Sequence, residues 1–283
     1  MPDPTVVEIA QWQGSSTPTA RRRLPEGAAR LAALASPSGH LRALTDDAPG
    51  TAHAGVAHAD VLAHNLAAAR DAVARAGHPV VTVGGDCAVD LAPIEAAVRR
   101  HGDRLAVVWF DAHGDLNTPA TSPSGAFHGM ILRALLGEGP AELSPERALR
   151  PGQVVLAGVR ALDEGERAYI DRHGIPVLPP ARLADPADLV AAVTTTGADA
   201  VHIHIDLDVL DPTTFPAVGT PEPNGLPPAH LLTAVAALTT HFTVTGLTIT
   251  EYESTGTDPA VLTTLIPQLI TLTTHTPPTP SGV

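Results

Sequence analysis

The sequence predicts an α/β protein with a mostly parallel sheet covered by helices on both faces. Three observations carry this. Short Val- and Ile-rich runs alternate with Ala- and Leu-rich stretches of helical period, as repeated βα units do. Aromatics are only 3% of the chain against 44% hydrophobic residues, so the core is built from Ala, Val, Leu and Ile. Charged residues gather just after several of the apolar runs, where open α/β sheets bind their ligands.

Taken in order, residues 5–10 read as a first strand, 13–23 as a Ser/Thr/Arg-rich loop and 26–35 as a helix. An Ala-rich helix over 57–76 carries Val61, Leu62, Leu66 and Val73 and is ended by Gly77 and Pro79. Residues 80–83 form a strand stopped by Gly84 and Gly85, and a helix over 88–100 leads into the apolar strand 105–110. A further helix begins near His128. Strands are expected at 154–159 and 175–178, around a helix at 164–172, and a helix at 183–193 precedes a polar strand at 201–208. A Pro-rich loop, a helix at 228–238 and a last strand at 244–249 follow, and residues 275–283 are expected to be a loose Thr/Pro-rich tail. No linker divides the chain, so residues 1–283 are expected to form one domain.

A formal charge of -13 argues against nucleic acid or an anionic membrane as partner and suits attraction of a cationic small molecule. The single cysteine rules out an internal disulfide, and no apolar leader or long uncharged span is seen, so the expected compartment is the cytoplasm.

Four strand ends carry the polar residues of interest. Asp111-Ala112-His113-Gly114-Asp115 follows the 105–110 strand. If the backbone stays extended, Asp111, His113 and Asp115 project to one side, and acids that close repel unless protonated or held by cations. Alone, this motif fits a metal site and a polar loop equally well. In the 201–208 strand, alternation puts His202, His204, Asp206 and Asp208 on one face. The two acids stand at the strand end and need compensation, which a metal shared with the first motif supplies. The two histidines lie deeper and read as structural or as supports for ligands. Gly84-Gly85 bend the chain and present Asp86 and Cys87, although a lone cysteine reads as a small buried hydrophobe. Glu251 follows the last strand and, by itself, reads as a surface acid.

Together, Gly84-Gly85-Asp86-Cys87, the stretches 111–119 and 122–130, and Asp206-Leu207-Asp208-Val209-Leu210-Asp211-Pro212 strongly resemble the arginase/agmatinase (ureohydrolase) family. The match in order and spacing runs from near residue 5 to about 270. The resemblance implies an arginase-like three-layer αβα fold and two manganese ions per subunit. Asp111 and Asp206 would bridge both ions, Asp115 and Cys87 would complete one site, and His113 and Asp208 the other. The ions would activate a shared water against a guanidinium carbon. Asp115 would pass a proton to the leaving amine, Glu251 would pair with the guanidinium, and His128 would shuttle protons. Asn117, Ser122 and Ser124 match positions that receive an α-carboxylate, and Asp163 the acid that senses an α-amino group. The resemblance therefore favours an amino acid over a decarboxylated guanidine such as agmatine, although Ala126 replaces one carboxylate contact. A homo-oligomer, trimer or hexamer, is also implied.

Cys87 stands where the family usually has a histidine ligand. Thiolate is soft and manganese hard, so the first site is expected to be weaker or partly occupied. A cysteine here is also similar to the arginase-like amidinohydrolases that act on N-hydroxy-arginine, which makes hydroxyurea an expected product beside urea. Two readings from other classes stay open. In one, Cys87 is a covalent nucleophile with His128 or His113 as base; in the other, the protein is a catalytically weakened binding relative.

Overall fold

The computed structural model describes residues 5–35 and 39–274. Eight strands, β1 (Thr5–Ile9), β2 (Gly39–Arg42), β3 (Val80–Gly84), β4 (Leu105–Phe110), β5 (Val154–Ala157), β6 (Val177–Leu178), β7 (Ala200–Asp206) and β8 (Thr243–Thr250), form one sheet. Their spatial order is β2-β1-β3-β8-β7-β4-β5-β6, and every neighbouring pair is parallel. All strands therefore end at the same edge. The four whose ends carry the acids and Cys87, β3, β8, β7 and β4, lie side by side there.

Side chains alternate between two cores. On one face, Val107, Trp109 and Leu156 pack against α2 (Ala59–Arg75) and α3 (Leu91–His101) through Leu62, Leu66, Ile94 and Val98. On the other, Val81, Val108, Ile203 and Ile249 meet Leu31, Leu189, Leu231 and Leu265 of α1 (Ala20–Ala35), α6 (Pro186–Thr195), α7 (Pro228–His241) and α8 (Ala260–Thr274). This is the expected αβα sandwich. Each fully buried Leu, Ile or Val contributes roughly 1.5–3 kcal/mol, which fixes the sheet rigidly beneath its polar edge.

Several boundaries differ from the sequence expectation. The first helix begins at Ala20, within the stretch read as a loop; Ala20 and Leu24 are buried while Arg21 and Arg22 stay in solvent. The edge strand β2 was not anticipated, because four residues paired on one side only leave no apolar run to detect. Nor was α8, whose Thr-rich sequence has weak helix propensity but buries Leu262, Leu265, Ile266 and Leu269. A 3₁₀ turn, Cys87–Asp90, precedes α3, so that helix starts at Leu91 instead of residue 88. Between β4 and β5 a 3₁₀ turn, His128–Met130, opens α4 (Ile131–Arg133), and α5 (Glu164–His173) follows β5. Residues 275–283, expected to be a tail, lie outside the described residues.

Candidate metal centre

The turn after β3 depends on glycine. A Cβ on Gly85 would stand 1.7 Å from the Gln11 carbonyl oxygen, and the Gly85 carbonyl accepts from the Glu251 amide at 2.7 Å. Asp86 then caps the 3₁₀ turn, accepting from Ala88 N at 3.0 Å, from Gln11 Nε2 at 3.0 Å and from Gly14 N at 2.9 Å. The result is a buried Cys87 whose Sγ lies 3.3 Å from Asp206 Oδ2 and 3.2 Å from Thr250 Oγ1.

At the end of β4 the backbone does not stay extended, so the one-sided projection expected of Asp111, His113 and Asp115 is replaced by a folded loop. Asp115 sits at φ 53°, with Leu132 N donating to its carbonyl at 3.0 Å and Glu166 Oε1 accepting from the next amide, Leu116 N, at 2.9 Å. The acid still reaches the site, but through a turn clamped by two other segments. Asp111 accepts from Trp109 Nε1 at 3.0 Å and from His113 N at 2.6 Å. At the end of β7, Asp206 caps another 3₁₀ turn by accepting from Asp208 N at 2.7 Å. Asp208 in turn accepts from Ala112 N at 3.0 Å and Thr220 Oγ1 at 3.1 Å, and lies 3.0 Å from His113 Nδ1. Glu251, at φ 63°, accepts from Cys87 N at 3.2 Å and contacts His128 Nδ1 at 3.2 Å.

The electrostatics follow from burial. Asp111, Asp115, Asp206, Asp208 and Glu251 are each at most 6% exposed. Burial first, and then neighbouring acids, push the Asp115 and Asp206 carboxyls well above the usual carboxylate range, and Asp111 also rises. Burial opposes ionisation of Asp208 too, but the His113 imidazole outweighs it and holds this acid low; His113 is correspondingly raised by Asp111 and Asp208 against its own desolvation. Burial, then Asp206 and Glu251, raise the Cys87 thiol. At His128, burial works against protonation and the hydrogen bond to Glu251 wins, lifting the imidazole above its ordinary value.

Such a cluster is short of positive charge, and divalent ions fit it. Donor atoms of Cys87, Asp206 and Glu251 lie within 4.8 Å of one another, as do those of Asp111, His113 and Asp208, and those of Cys87, Asp111 and His204. Asp115 belongs to none of these groups among the described residues, yet its buried Oδ2 has no hydrogen-bond partner. A buried, unsatisfied carboxylate oxygen beside an acid cluster is what a cation would complete.

Comparison with known proteins gives the family. The family model described as Arginase family matches residues 26–266. The chain belongs to the arginase family. An arginase of Bacillus caldovelox is 43% identical over 173 residues, covering 57% of this chain and 56% of that protein, and one of Staphylococcus aureus is 39% identical over 155 residues. The aligned stretch thus spans about half the length of these curated relatives. Among solved structures, the Bacillus caldovelox arginase superposes with a TM-score of 0.75 at 27% identity, over 96% of this chain and 98% of that one. The Entamoeba histolytica arginase, crystallised with L-ornithine, gives 0.83 at 22% identity over 95% and 97%, a likeness of fold.

Within this arginase-family fold, the residues expected to hold an amino-acid head group are partly assembled. Asn117 Nδ2 donates to Asp163 Oδ2 at 2.8 Å, joining the loop after β4 to the cap of α5. Ser122 and Ser124 lie in the 118–127 loop, where their hydroxyls accept from the amides of Gly125 and Ala126 at 3.0 and 3.2 Å. Four residues of the centre escaped the sequence reading. Trp109 and Glu166 hold Asp111 and the Asp115 loop, Thr220 holds Asp208, and Asp90 binds His202 Nε2 at 2.9 Å and His204 Nδ1 at 2.8 Å. Only Trp109 had a legible signal, since strand alternation puts it on the same face as Asp111.

Proposed function

We propose that the chain is a metal-dependent hydrolase that cleaves the guanidinium group of an arginine-like amino acid. The observation that carries this is the convergence of five buried acids at adjacent strand ends, where the buried Asp115 Oδ2 has no hydrogen-bond partner. In this reading Cys87, Asp111, Asp115, Asp206, His113 and Asp208 would hold two manganese ions. When bound, the ions supply Lewis acidity that makes water a stronger acid at neutral pH.

The chain's own groups supply positioning and proton transfer. Glu251, fixed from two sides by Cys87 N and His128, offers a carboxylate to the planar guanidinium. His128 is only partly buried, with 17% of its side chain exposed, so it can relay protons between bulk water and the site. Asp115 has the raised affinity for a proton that a donor to the leaving amine needs. Asn117 and Asp163 would fix the α-amino-acid end. Water adds to the guanidinium carbon, the bond to the side-chain nitrogen breaks, and ornithine leaves with urea, or with hydroxyurea when the substrate is N-hydroxy-arginine.

Cys87 directs the choice between these substrates. A soft sulfur donor weakens the hold on a hard ion, and an N-hydroxyguanidine, being less basic than a guanidine, asks less of the metal pair. N-hydroxy-arginine is therefore the proposed preferred substrate. A nucleophilic role for Cys87 is opposed by the acids and burial that raise its thiol. The test is an assay of manganese-reconstituted protein on arginine, N-hydroxy-arginine, agmatine and guanidinobutyrate. Turnover is expected to be highest with N-hydroxy-arginine and lowest with the two compounds that lack the amino-acid head; a preference for agmatine overturns the substrate class.

A further inference from the structure

His204 lies in the middle of β7 and is fully buried. The sequence reads it as a structural residue or a support for ligands, yet its surroundings are those of a ligand. Its Nδ1 is 2.8 Å from Asp90 Oδ2, and Asp90 also accepts from the Thr248 hydroxyl at 2.6 Å and contacts His202 Nε2 at 2.9 Å. A carboxylate can only accept, so this bond places the His204 proton on Nδ1 and leaves a lone pair on Nε2. That Nε2 has no hydrogen-bond partner, and a ring nitrogen of His204 lies within 4.8 Å of Cys87 Sγ and an Asp111 carboxylate oxygen; with Nδ1 engaged by Asp90, Nε2 is the nitrogen free to serve there. Trp109 stacks on the imidazole at 3.4 Å and 7°, while its own Nε1 donates to Asp111, so one indole fixes two members of the group. His202 also has a free nitrogen, but that one faces Gly246 of β8, where a Cβ would stand 2.8 Å away. Only the His204 nitrogen faces sulfur and carboxylate.

We infer that His204 Nε2 is a metal ligand, and that with Cys87 and Asp111 it forms a mixed nitrogen, sulfur and oxygen donor set for the ion on the Cys87 side. The inference rests on the metal-dependent reading above and deepens it. Acid, imidazole and metal in line is a recurring arrangement in which the acid orients the ring and makes it a better donor. A thiolate with an imidazole is a softer pair than the oxygen-rich set of Asp111, His113 and Asp208, so the two ions differ in kind. The Cys87 side prefers cobalt, zinc or ferrous iron, and the His113 side accepts manganese.

The metal-free protein titrated with Co²⁺ tests this, because a thiolate-to-cobalt charge-transfer band reports the Cys87 side alone. The wild type should develop the band. His204→Phe, which keeps a ring against Trp109, should weaken the ion that produces it by at least about tenfold and leave the other ion unchanged. An unaltered titration overturns the assignment, as does binding of two ions without the band. Should the variant fail to fold, X-ray absorption on the cobalt-loaded wild type decides. Two imidazoles per pair of ions, from His113 and His204, are expected, and one overturns the proposal while leaving the metal-dependent reading intact. If the wild type binds no divalent ion, the metal-dependent reading itself has failed.

Discussion

Asp115 and Glu251 are acids held on left-handed backbone, at φ 53° and 63°, and both stand at the candidate metal centre. Such a conformation costs roughly 1–3 kcal/mol in a residue other than glycine and persists only where the surroundings impose it. Here the clamps are the Glu166 carboxylate on one loop and the Gly85 carbonyl on the other. Glu251→Gln keeps shape and backbone but removes the charge proposed to face a guanidinium. Turnover should fall about a hundredfold or more, with metal content and melting temperature near those of the wild type; unchanged turnover would show that the substrate lies elsewhere. Cys87 makes a sharper residue-level test. Cys87→His should tighten manganese on that side and raise the rate on arginine relative to N-hydroxy-arginine, whereas Cys87→Ala should lower occupancy of one ion only. A nucleophilic cysteine would instead lose all turnover in both variants. The acids and Cys87 were legible because each follows an apolar run at a strand end. Asp90 was not, because nothing along the chain reveals that a residue at a helix start will meet two histidines more than a hundred positions away.

Elements were legible in proportion to how much apolar surface they bury. Strands β3, β4 and β7 are wholly buried and stand in the sequence as apolar or alternating runs. Strand β2, half exposed at the sheet edge, left no such trace. The loop after β4 failed for another reason: an extended backbone was the simplest continuation, and the contacts that bend it at Asp115 come from Glu166 and the segment after His128. The turn after β3 is the element on which the centre depends most. Gly85→Ala forces a Cβ against the Gln11 carbonyl oxygen and displaces the strand end that presents Asp86 and Cys87. A loss of about 1–3 kcal/mol is expected in denaturant unfolding, together with weaker binding of the ion on the Cys87 side. Retention of both stability and metal would show that the turn has room the geometry denies it.

For the molecule as a whole, stability and metal content are one question. The two apolar cores on either face of the sheet hold the fold, while the acids at its edge, which are part of the chain's formal charge of -13, oppose it. Ions that bind the folded chain and not the unfolded one stabilise it by RT ln(1 + [L]/Kd), about 2.7 kcal/mol at a hundredfold excess over Kd. At roughly 2–4 °C per kcal/mol for a domain near this size, that is a shift of about 5–10 °C. Chelated protein is therefore expected to keep its far-UV circular dichroism, since both cores are untouched, yet to melt about 5–10 °C lower than the metal-loaded form and to recover when manganese is restored. An unchanged melting temperature would mean that the edge acids settle their repulsion by sharing protons, as the raised carboxyls of Asp115 and Asp206 permit, and that the ions contribute to turnover without contributing to the fold.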